Sequence, residues 1–410
     1  MSTDILARHP ESLAGQTHQP HGWIARILQK RLRNFGVGQI TMYLPDDSIV
    51  HQRGEAEGPH AELVIHRWRA LVRLLTGGDL GLAASYLDGD WDSDDLGAVL
   101  DFGAANEAAL SQSLGGASAL HAINWLQHAF RRNSRSGSRR NIAAHYDLGN
   151  AFYAKWLDAD MHYSSGLQLL PADNLAMAQK NKLDTIEHML NLSGGERVLE
   201  IGCGWGAVAE QLVASRQCHV TGLTLSREQA AYARERLAQS GFAANTSIEL
   251  RDYRDVSDKF DRIVSIEMLE AVGAQYWPVY FEKLATSLKP GGCAVLQVIT
   301  INEKYFDSYR RRPDYIQKYI FPGGMLPTKT IMHEQALQAG LKISQERFFG
   351  SSYAHTLCIW RENFMRNWSG IEPLGFDTRF RRMWDYYLRY CETGFNYGLI
   401  DVGLYKLEKT

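Results

Sequence analysis

Apolar positions change their spacing several times along the chain. From His21 to Phe35 they fall at three- and four-residue intervals: Trp23, Ile24, Ile27, Leu28, Leu32 and Phe35, with Arg26, Lys30, Arg31 and Arg33 between them. This predicts an amphipathic helix. Its basic side reads either as the solvated face of a core-packing helix or as a surface for anionic headgroups, and four cations on one short helix favour the first. Two strand patterns follow, Gln39–Leu44 and Ala61–Ile65, around the polar stretch PDDSIVHQRGEAEGPH. Residues 68–130 read as mostly helical, so 1–130 is expected to be a small α+β domain without catalytic motifs of its own.

The pattern lapses at RRNSRSGSRR, where five arginines, serines and a glycine leave nothing to bury. A linker over 131–141 is expected. Equally, these cations would attract anionic lipid at about 1 kcal/mol each, and both readings stand. After residue 190, apolar runs of strand length alternate with helical segments: Arg197–Ile201, His219–Leu223, Ser247–Leu250, Arg262–Ile266 and Cys293–Ile299. Such alternation predicts an α/β, doubly wound, mostly parallel sheet over 142–410, with its ligand at the carboxyl ends of the strands.

Composition adds limits. A chain of 410 residues exceeds one ordinary core. A formal net charge of -2 gives no global pull toward nucleic acid, so attraction to an anionic surface must be local. Five scattered cysteines, Cys203, Cys218, Cys293, Cys358 and Cys391, form no CxxC pair and no zinc-type spacing with histidine. Reduced thiols in the cytoplasm are expected, and no metal site. The first twenty residues are polar, without the apolar block of a signal peptide. No run approaches the roughly 18 apolar residues of a spanning helix, so a protein of this kind acting on lipid would visit the bilayer from the water side.

The strongest chemical signal is VLEIGCGWG, Val198 to Gly206: a buried strand, then Gly202, Gly204 and Gly206, then a helical segment. The glycines allow a sharp turn and close approach of a ligand to the backbone. A dinucleotide site would carry G-x-G-x-x-G and an acid about 20 residues on. Here the spacing is E-x-G-x-G-x-G with Glu200 inside the strand end, and the second strand runs into Gly222-Leu223-Thr224-Leu225-Ser226. These details favour S-adenosylmethionine. Asp252 and Tyr253 follow the third strand, where a carboxylate and an aromatic face suit an adenine; a plain loop acid is the alternative for Asp252. Leu288-Lys289-Pro290-Gly291-Gly292 reads as turn chemistry before the next strand.

Four ordered motifs carry a family resemblance: His145-Tyr146-Asp147-Leu148-Gly149-Asn150, Met161-His162-Tyr163-Ser164-Ser165-Gly166, VLEIGCGWG, and Tyr319-Ile320-Phe321-Pro322-Gly323-Gly324. Over roughly residues 140–410 the chain resembles the cyclopropane-fatty-acyl-phospholipid synthases and is similar to the mycolic-acid methyltransferases. The resemblance implies a Rossmann-like methyltransferase fold with helical insertions over an acyl channel. It implies cofactor contacts from Tyr163, Ser164, the strand and loop with Glu200, Gly202, Cys203, Gly204 and Gly206, then Thr224, Leu225, Gln229, Tyr253 and Arg254.

By the same resemblance, the reaction moves the sulfonium methyl to an alkene, and loss of a proton closes a cyclopropane. Relatives hold bicarbonate as the base. Its ligands carry over as Glu270, Tyr353 and the amide of Ile299, while the cysteine and histidine of the pattern are here Ser165 and Gln297. Serine and glutamine still donate hydrogen bonds, but glutamine carries no proton as histidine does. Ala271 stands where many relatives have histidine. Cys391 matches a cysteine long discussed as catalytic; methyl transfer to an alkene needs no thiol nucleophile, and a packing role is preferred. The leading expectation is cyclopropanation of an unsaturated phospholipid acyl chain by a cytoplasmic protein visiting the inner membrane face. C-methylation without ring closure and small-molecule N-methylation are the alternatives. Bicarbonate binding and a homodimer stay open.

Overall fold

The computed structural model describes residues 23–114, 148–168, 170 and 172–409. The chain divides into two compact units, Met1–Gly115 and Gly116–Thr410. The expected boundary, the 131–141 linker, the polar first twenty residues and His145 to Asp147 all lie outside the described residues.

In the first unit, the helix Trp23–Arg31 runs into a short 3-10 turn, Leu32–Asn34. Ala25, Leu28, Leu32 and Phe35 are buried along it, while Arg26, Lys30 and Arg33 face solvent. Ile27, expected on the packed face, is 38% exposed. A four-stranded sheet follows, in the order β2-β1-β3-β4 with β1 Val37–Tyr43, β2 Ile49–Arg53, β3 Ala56–Ile65 and β4 Trp91–Asp92. β2 lies within the stretch read as a polar connection; its Ile49 and Val50 are too few to signal a strand alone, and pairing with β1 supplies the rest. Helices Arg69–Leu87, Leu96–Ala105 and Glu107–Leu114 complete the described part. Asn106 ties helix to sheet: its Oδ1 accepts the Gly36 and Val37 N–H groups, and its Nδ2 donates to the Val37 carbonyl.

The second unit is built on a seven-stranded sheet, β10-β11-β9-β8-β5-β6-β7. Its strands are β5 Arg197–Ile201, β6 His219–Thr224, β7 Thr246–Leu250, β8 Phe260–Ile266, β9 Leu288–Ile301, β10 Leu341–Phe348 and β11 Ile400–Lys409. β5 to β9 pair in parallel, while β11 runs antiparallel to both β9 and β10. The doubly wound, mostly parallel sheet expected from the sequence is therefore present. β5 and β9 read as nearly unbroken apolar runs because helices cover both faces of the sheet centre. Leu288 to Gly292 enters the sheet as an irregular start to β9, where the register with β8 jumps from Phe260↔Leu288 to Arg262↔Cys293. That jump is the turn chemistry expected there, absorbed into a strand. β10 and β11 escaped the periodicity reading. β10 lies at the sheet edge with most of its side chains exposed, so it lacks an apolar pattern.

Between β10 and β11 the chain leaves the sheet for the helices Gly350–Arg366, Trp368–Ile371 and Thr378–Asn396. The last begins at Asp377, whose carboxylate accepts the Phe380 N–H at 2.7 Å. Trp360, Phe364, Phe380 and Trp384 of these helices form a dense aromatic group with Phe152, Tyr153 and Trp156, mostly edge-on, with Phe380 stacked on Trp384. Among the described residues no helix is long and apolar enough to cross a membrane, and all five cysteines are free.

Candidate active site

The sheet order reverses between β5 and β8, and the loop after β5 lies at that switch point, where open α/β sheets hold a ligand in a crevice at the carboxyl ends of the strands. Gly202, Gly204 and Gly206 have φ of +82°, +51° and +89°, which side-chain-bearing residues seldom adopt. The Gly202 and Cys203 N–H groups both reach the Leu223 carbonyl, and the Gly206 N–H closes on the Cys203 carbonyl. A Cβ at Gly202 or Gly206 would press on Met268 or Ala233 at 3.1 Å, whereas a Cβ at Gly204 would meet nothing within 4 Å. Gly204 thus faces the open side of the loop. Buried Cys203 packs against Gly222, where a Cβ would sit 3.0 Å from the Cys203 Cβ.

Around this loop the expected cofactor residues come together. Glu200, next to the last residue of β5, is buried; one oxygen accepts the Ala209 N–H, Oε2 has no hydrogen-bond partner, and burial pushes its carboxyl up to about 8. After β6, the Thr224 hydroxyl donates to Gln229 Oε1 at 2.8 Å and accepts the Ser226 N–H, with Leu225 half-buried between them. Ser226 in turn caps the helix Arg227–Gln239 through the Gln229 N–H. After β7, buried Asp252 holds Arg254 through both carboxylate oxygens, and the Arg254 guanidinium lies over the rings of Tyr253 and Tyr276. Tyr253 is buried with its hydroxyl unpartnered. An open glycine turn, an orphaned carboxylate oxygen and paired polar side chains on three strand ends suit S-adenosylmethionine, whose cationic and polar parts need such partners.

Tyr163 and Ser164 come from the segment before the sheet, with the Tyr163 ring reaching Tyr153, which in turn packs on Trp205 of the glycine loop. The Tyr163 hydroxyl meets the Tyr387 hydroxyl at 2.9 Å, and its ring packs among Tyr153, Trp156 and Trp360. The Ser164 hydroxyl accepts from the fully buried Lys182 amine, which desolvation lowers to about 8. Asn150, the described end of the first family motif, accepts the Trp205 indole N–H at 2.7 Å and so braces the glycine loop. The fourth motif lies behind Glu270: the Met325 N–H donates to the Glu270 carbonyl, and a Cβ on Gly324 would come 3.4 Å from the same oxygen.

The residues expected to grip a small anion are brought together, but not around an open slot. Glu270 Oε1 accepts the Ile299 N–H at 2.5 Å, and Oε2 is buried without a partner. Burial, with Glu267 nearby, pushes the Glu270 carboxyl up to about 8. The other three candidates point at Glu267, which sequence reasoning passed over. Its Oε1 accepts the Ser165 N–H at 2.9 Å and the Gln297 side-chain amide at 2.7 Å; its Oε2 accepts the Tyr353 hydroxyl at 2.6 Å. Ser165 contributes its backbone rather than its hydroxyl, which donates to the Gly166 carbonyl. Glu267 sits three residues before Glu270 in SIEMLEAVG, so a second acid at the end of an apolar strand was the available signal. Tyr353 stacks on Phe395 with ring centres 4.6 Å apart. Cys391 is on the same helix as Tyr387, and burial raises its thiol far above the ordinary range. A thiol held protonated is not a nucleophile.

Comparison with known proteins matches residues 133–404 to the family described as mycolic acid cyclopropane synthetase. A tuberculostearic acid methyltransferase of Mycobacterium tuberculosis is 40% identical over 86% of this chain and 86% of its own length. The cyclopropane-fatty-acyl-phospholipid synthase of Escherichia coli K12 is 38% identical over 79% of this chain and 81% of its own. Among solved structures, a mycolic acid cyclopropane synthase complexed with SAH (S-adenosylhomocysteine) and CTAB superposes with a TM-score of 0.63 at 29% identity, covering 66% of this chain and 98% of that one. Coclaurine N-methyltransferase, at 16% identity and a TM-score of 0.63, shares the fold.

Proposed function

The chain belongs to the mycolic acid cyclopropane synthetase family of S-adenosylmethionine-dependent methyltransferases, and from that premise we propose that it adds a one-carbon unit to the double bond of an unsaturated phospholipid acyl chain. The observation that carries this is the pairing of the glycine-loop crevice with two recessed carboxylates, Glu267 and Glu270, beside an aromatic wall. S-adenosylmethionine supplies an electrophilic methyl on a sulfonium centre. An alkene is a weak nucleophile, so the protein's part is to hold it dry and aligned. The rings of Tyr163, Tyr353 and Trp360 offer faces that favour a cation without hydrogen-bonding to it.

The alkene's π pair forms the new carbon–carbon bond while the carbon–sulfur pair departs with sulfur, leaving a cation on the second alkene carbon. A carbon–hydrogen bond then breaks, its proton passing to a base. If the proton comes from the added carbon, the released pair closes a cyclopropane. If it comes from a neighbouring chain carbon, the product is an open methyl-alkene. Ring closure is the first reading, supported by the relative from Escherichia coli. The open-chain product is the second, favoured by Ser165 and Gln297 in the anion region and by the 40% identical relative from M. tuberculosis. The acyl chain would be met at the inner membrane face by transient association.

Lipid from cells expressing the chain and fed methyl-deuterated methionine decides between them. Two deuteriums retained in a saturated ring mean cyclopropanation, and three mean open methyl transfer. Lipids without label would refute the reaction.

A further inference from the structure

Glu267 is the one side chain of the site that breaks a local backbone rule. Its φ is +49°, in the left-handed region that suits glycine. For a residue with a Cβ this costs about 1–2 kcal/mol, and strain of that kind collects at working sites. What holds it there is a full set of donors from three separate parts of the fold. They are the Ser165 N–H before the sheet, the Gln297 amide on β9 and the Tyr353 hydroxyl on the helix Gly350–Arg366. The Glu267 N–H is itself fixed to the Gln297 carbonyl at 2.8 Å. These donors are three of the positions at which a bound anion was expected. A carboxylate presents two oxygens on a planar carbon, as bicarbonate does, so the side chain fills the role of the anion's acceptor face. Bicarbonate therefore does not fit the residues present: its donors are already spoken for.

We propose that Glu267 is the proton acceptor of the reaction, with its tethered carboxylate standing in place of a free anion. This rests on the one-carbon transfer proposed above. In that step a Glu267 oxygen takes the proton released by the carbocation, the C–H pair stays with carbon to close the ring or form the new double bond, and the carboxylic acid later returns its proton to water. A carbocation's neighbouring proton is so acidic that a carboxylate is base enough; placement is the requirement. Two neighbours divide the labour. Burial, with repulsion from Glu267 second, pushes Glu270 up to about 8, so it holds a proton at neutral pH; burial raises Glu267 as well, but the Tyr353 hydroxyl, the Ser165 N–H and the Gln297 amide pull against it, which makes Glu267 the more readily ionised member of the pair. Fully buried Lys182 supplies a favourable charge toward Glu267 while its amine is anchored on Ser164.

The test uses the full chain, its Glu267→Gln variant and its Glu267→Gly variant, the last being suited to the positive φ. Binding of carbon-13 bicarbonate is read by NMR, and turnover is read on vesicles of cis-monounsaturated phosphatidylglycerol and phosphatidylethanolamine in carbonate-free buffer. The parent should bind no bicarbonate and turn over equally with or without it. Glu267→Gln should lose about 100-fold or more in turnover with cofactor affinity intact. Glu267→Gly should bind bicarbonate and regain turnover when bicarbonate or formate is added. A parent that binds and requires bicarbonate, or a Glu267→Gln variant with full turnover, overturns the proposal. An inactive parent, with bicarbonate binding confined to Glu267→Gly, supports the slot assignment and faults the proposed reaction instead.

Discussion

Replacing Glu200 by glutamine should shift the stability of the second unit in the variant's favour as the pH rises. Glu200 is 2% exposed, takes one backbone N–H, and leaves Oε2 without a partner. Burial moves its carboxyl from an ordinary value of 4.5 to about 8. Below pH 4.5 the folded and unfolded chains both hold this proton, so it contributes nothing. Between 4.5 and 8 the folded chain keeps a proton that the unfolded chain has released, and stability falls with rising pH. Above 8 the whole cost is present: at roughly 1.4 kcal/mol for each tenfold change in proton affinity, about 5 kcal/mol at most. Glutamine is neutral throughout. Its oxygen can still accept the Ala209 N–H, while its NH2 gains no evident acceptor and costs about 1–3 kcal/mol at every pH. The slope rather than the offset is therefore diagnostic. Guanidinium unfolding of cofactor-free parent and variant at pH 5, 6, 7 and 8, followed by the near-ultraviolet signal of the aromatic group, gives the difference. Glu270 and Lys182 are present in both proteins and cancel. The balance should shift toward the variant by a few kcal/mol between pH 5 and 8. A difference that stays flat would mean that Glu200 ionises normally and that its enclosure has been misjudged.

Two further outcomes follow from the site and one from the arginines between residues 131 and 140. Gly204→Val should abolish S-adenosylmethionine binding in calorimetry while the fold survives, because the new side chain fills the open face of the loop at φ +51°; the backbone strain itself costs only about 1–2 kcal/mol. Turnover should decline above about pH 8 as Glu270 ionises beside Glu267, and Glu270→Gln should remove that alkaline limb; a limb unchanged in the variant assigns it to another group. Vesicle association should weaken steeply with salt, and again when Arg131, Arg132, Arg135, Arg139 and Arg140 become glutamine; indifference to both changes would leave these arginines a plain linker.

The parallel half of the sheet was legible because burial on both faces leaves runs such as RVLEI with no alternation to misread. The glycine loop was legible because its φ values demand glycine. β2, β10 and β11 were not: β2 has only Ile49 and Val50 to mark it and is completed by its hairpin partner β1, while β10 and β11 are held to each other across a long stretch of sequence, Leu341 finding Lys409. The chemical centre was half legible. Glu270, Gln297, Ile299 and Tyr353 were picked out by motif, and Cys391 by the family resemblance. Glu267 was missed because a motif directs attention to the positions that match it, and what distinguishes Glu267 is a backbone angle and three donors that only folding assembles.

The stretch from Phe349 to Leu399 hangs between two adjacent strands, β10 and β11, that pair antiparallel along their length. Its ends are therefore pinned close together by ladder hydrogen bonds, while the glycine turn belongs to strands on the far side of β9. Such an arrangement behaves as an exchangeable cassette. Length and side chains within it can drift with little effect on the donor half, provided the two neighbouring anchor points and the contacts of Tyr387 and Trp360 with Tyr163 are preserved. Tyr353, at its near end, is the one side chain of this cassette that bonds to Glu267 among the contacts described. Divergence in what such enzymes accept should concentrate between those anchors, and grafting this stretch from one member into another is the economical route to changing the acceptor while keeping the methyl donor.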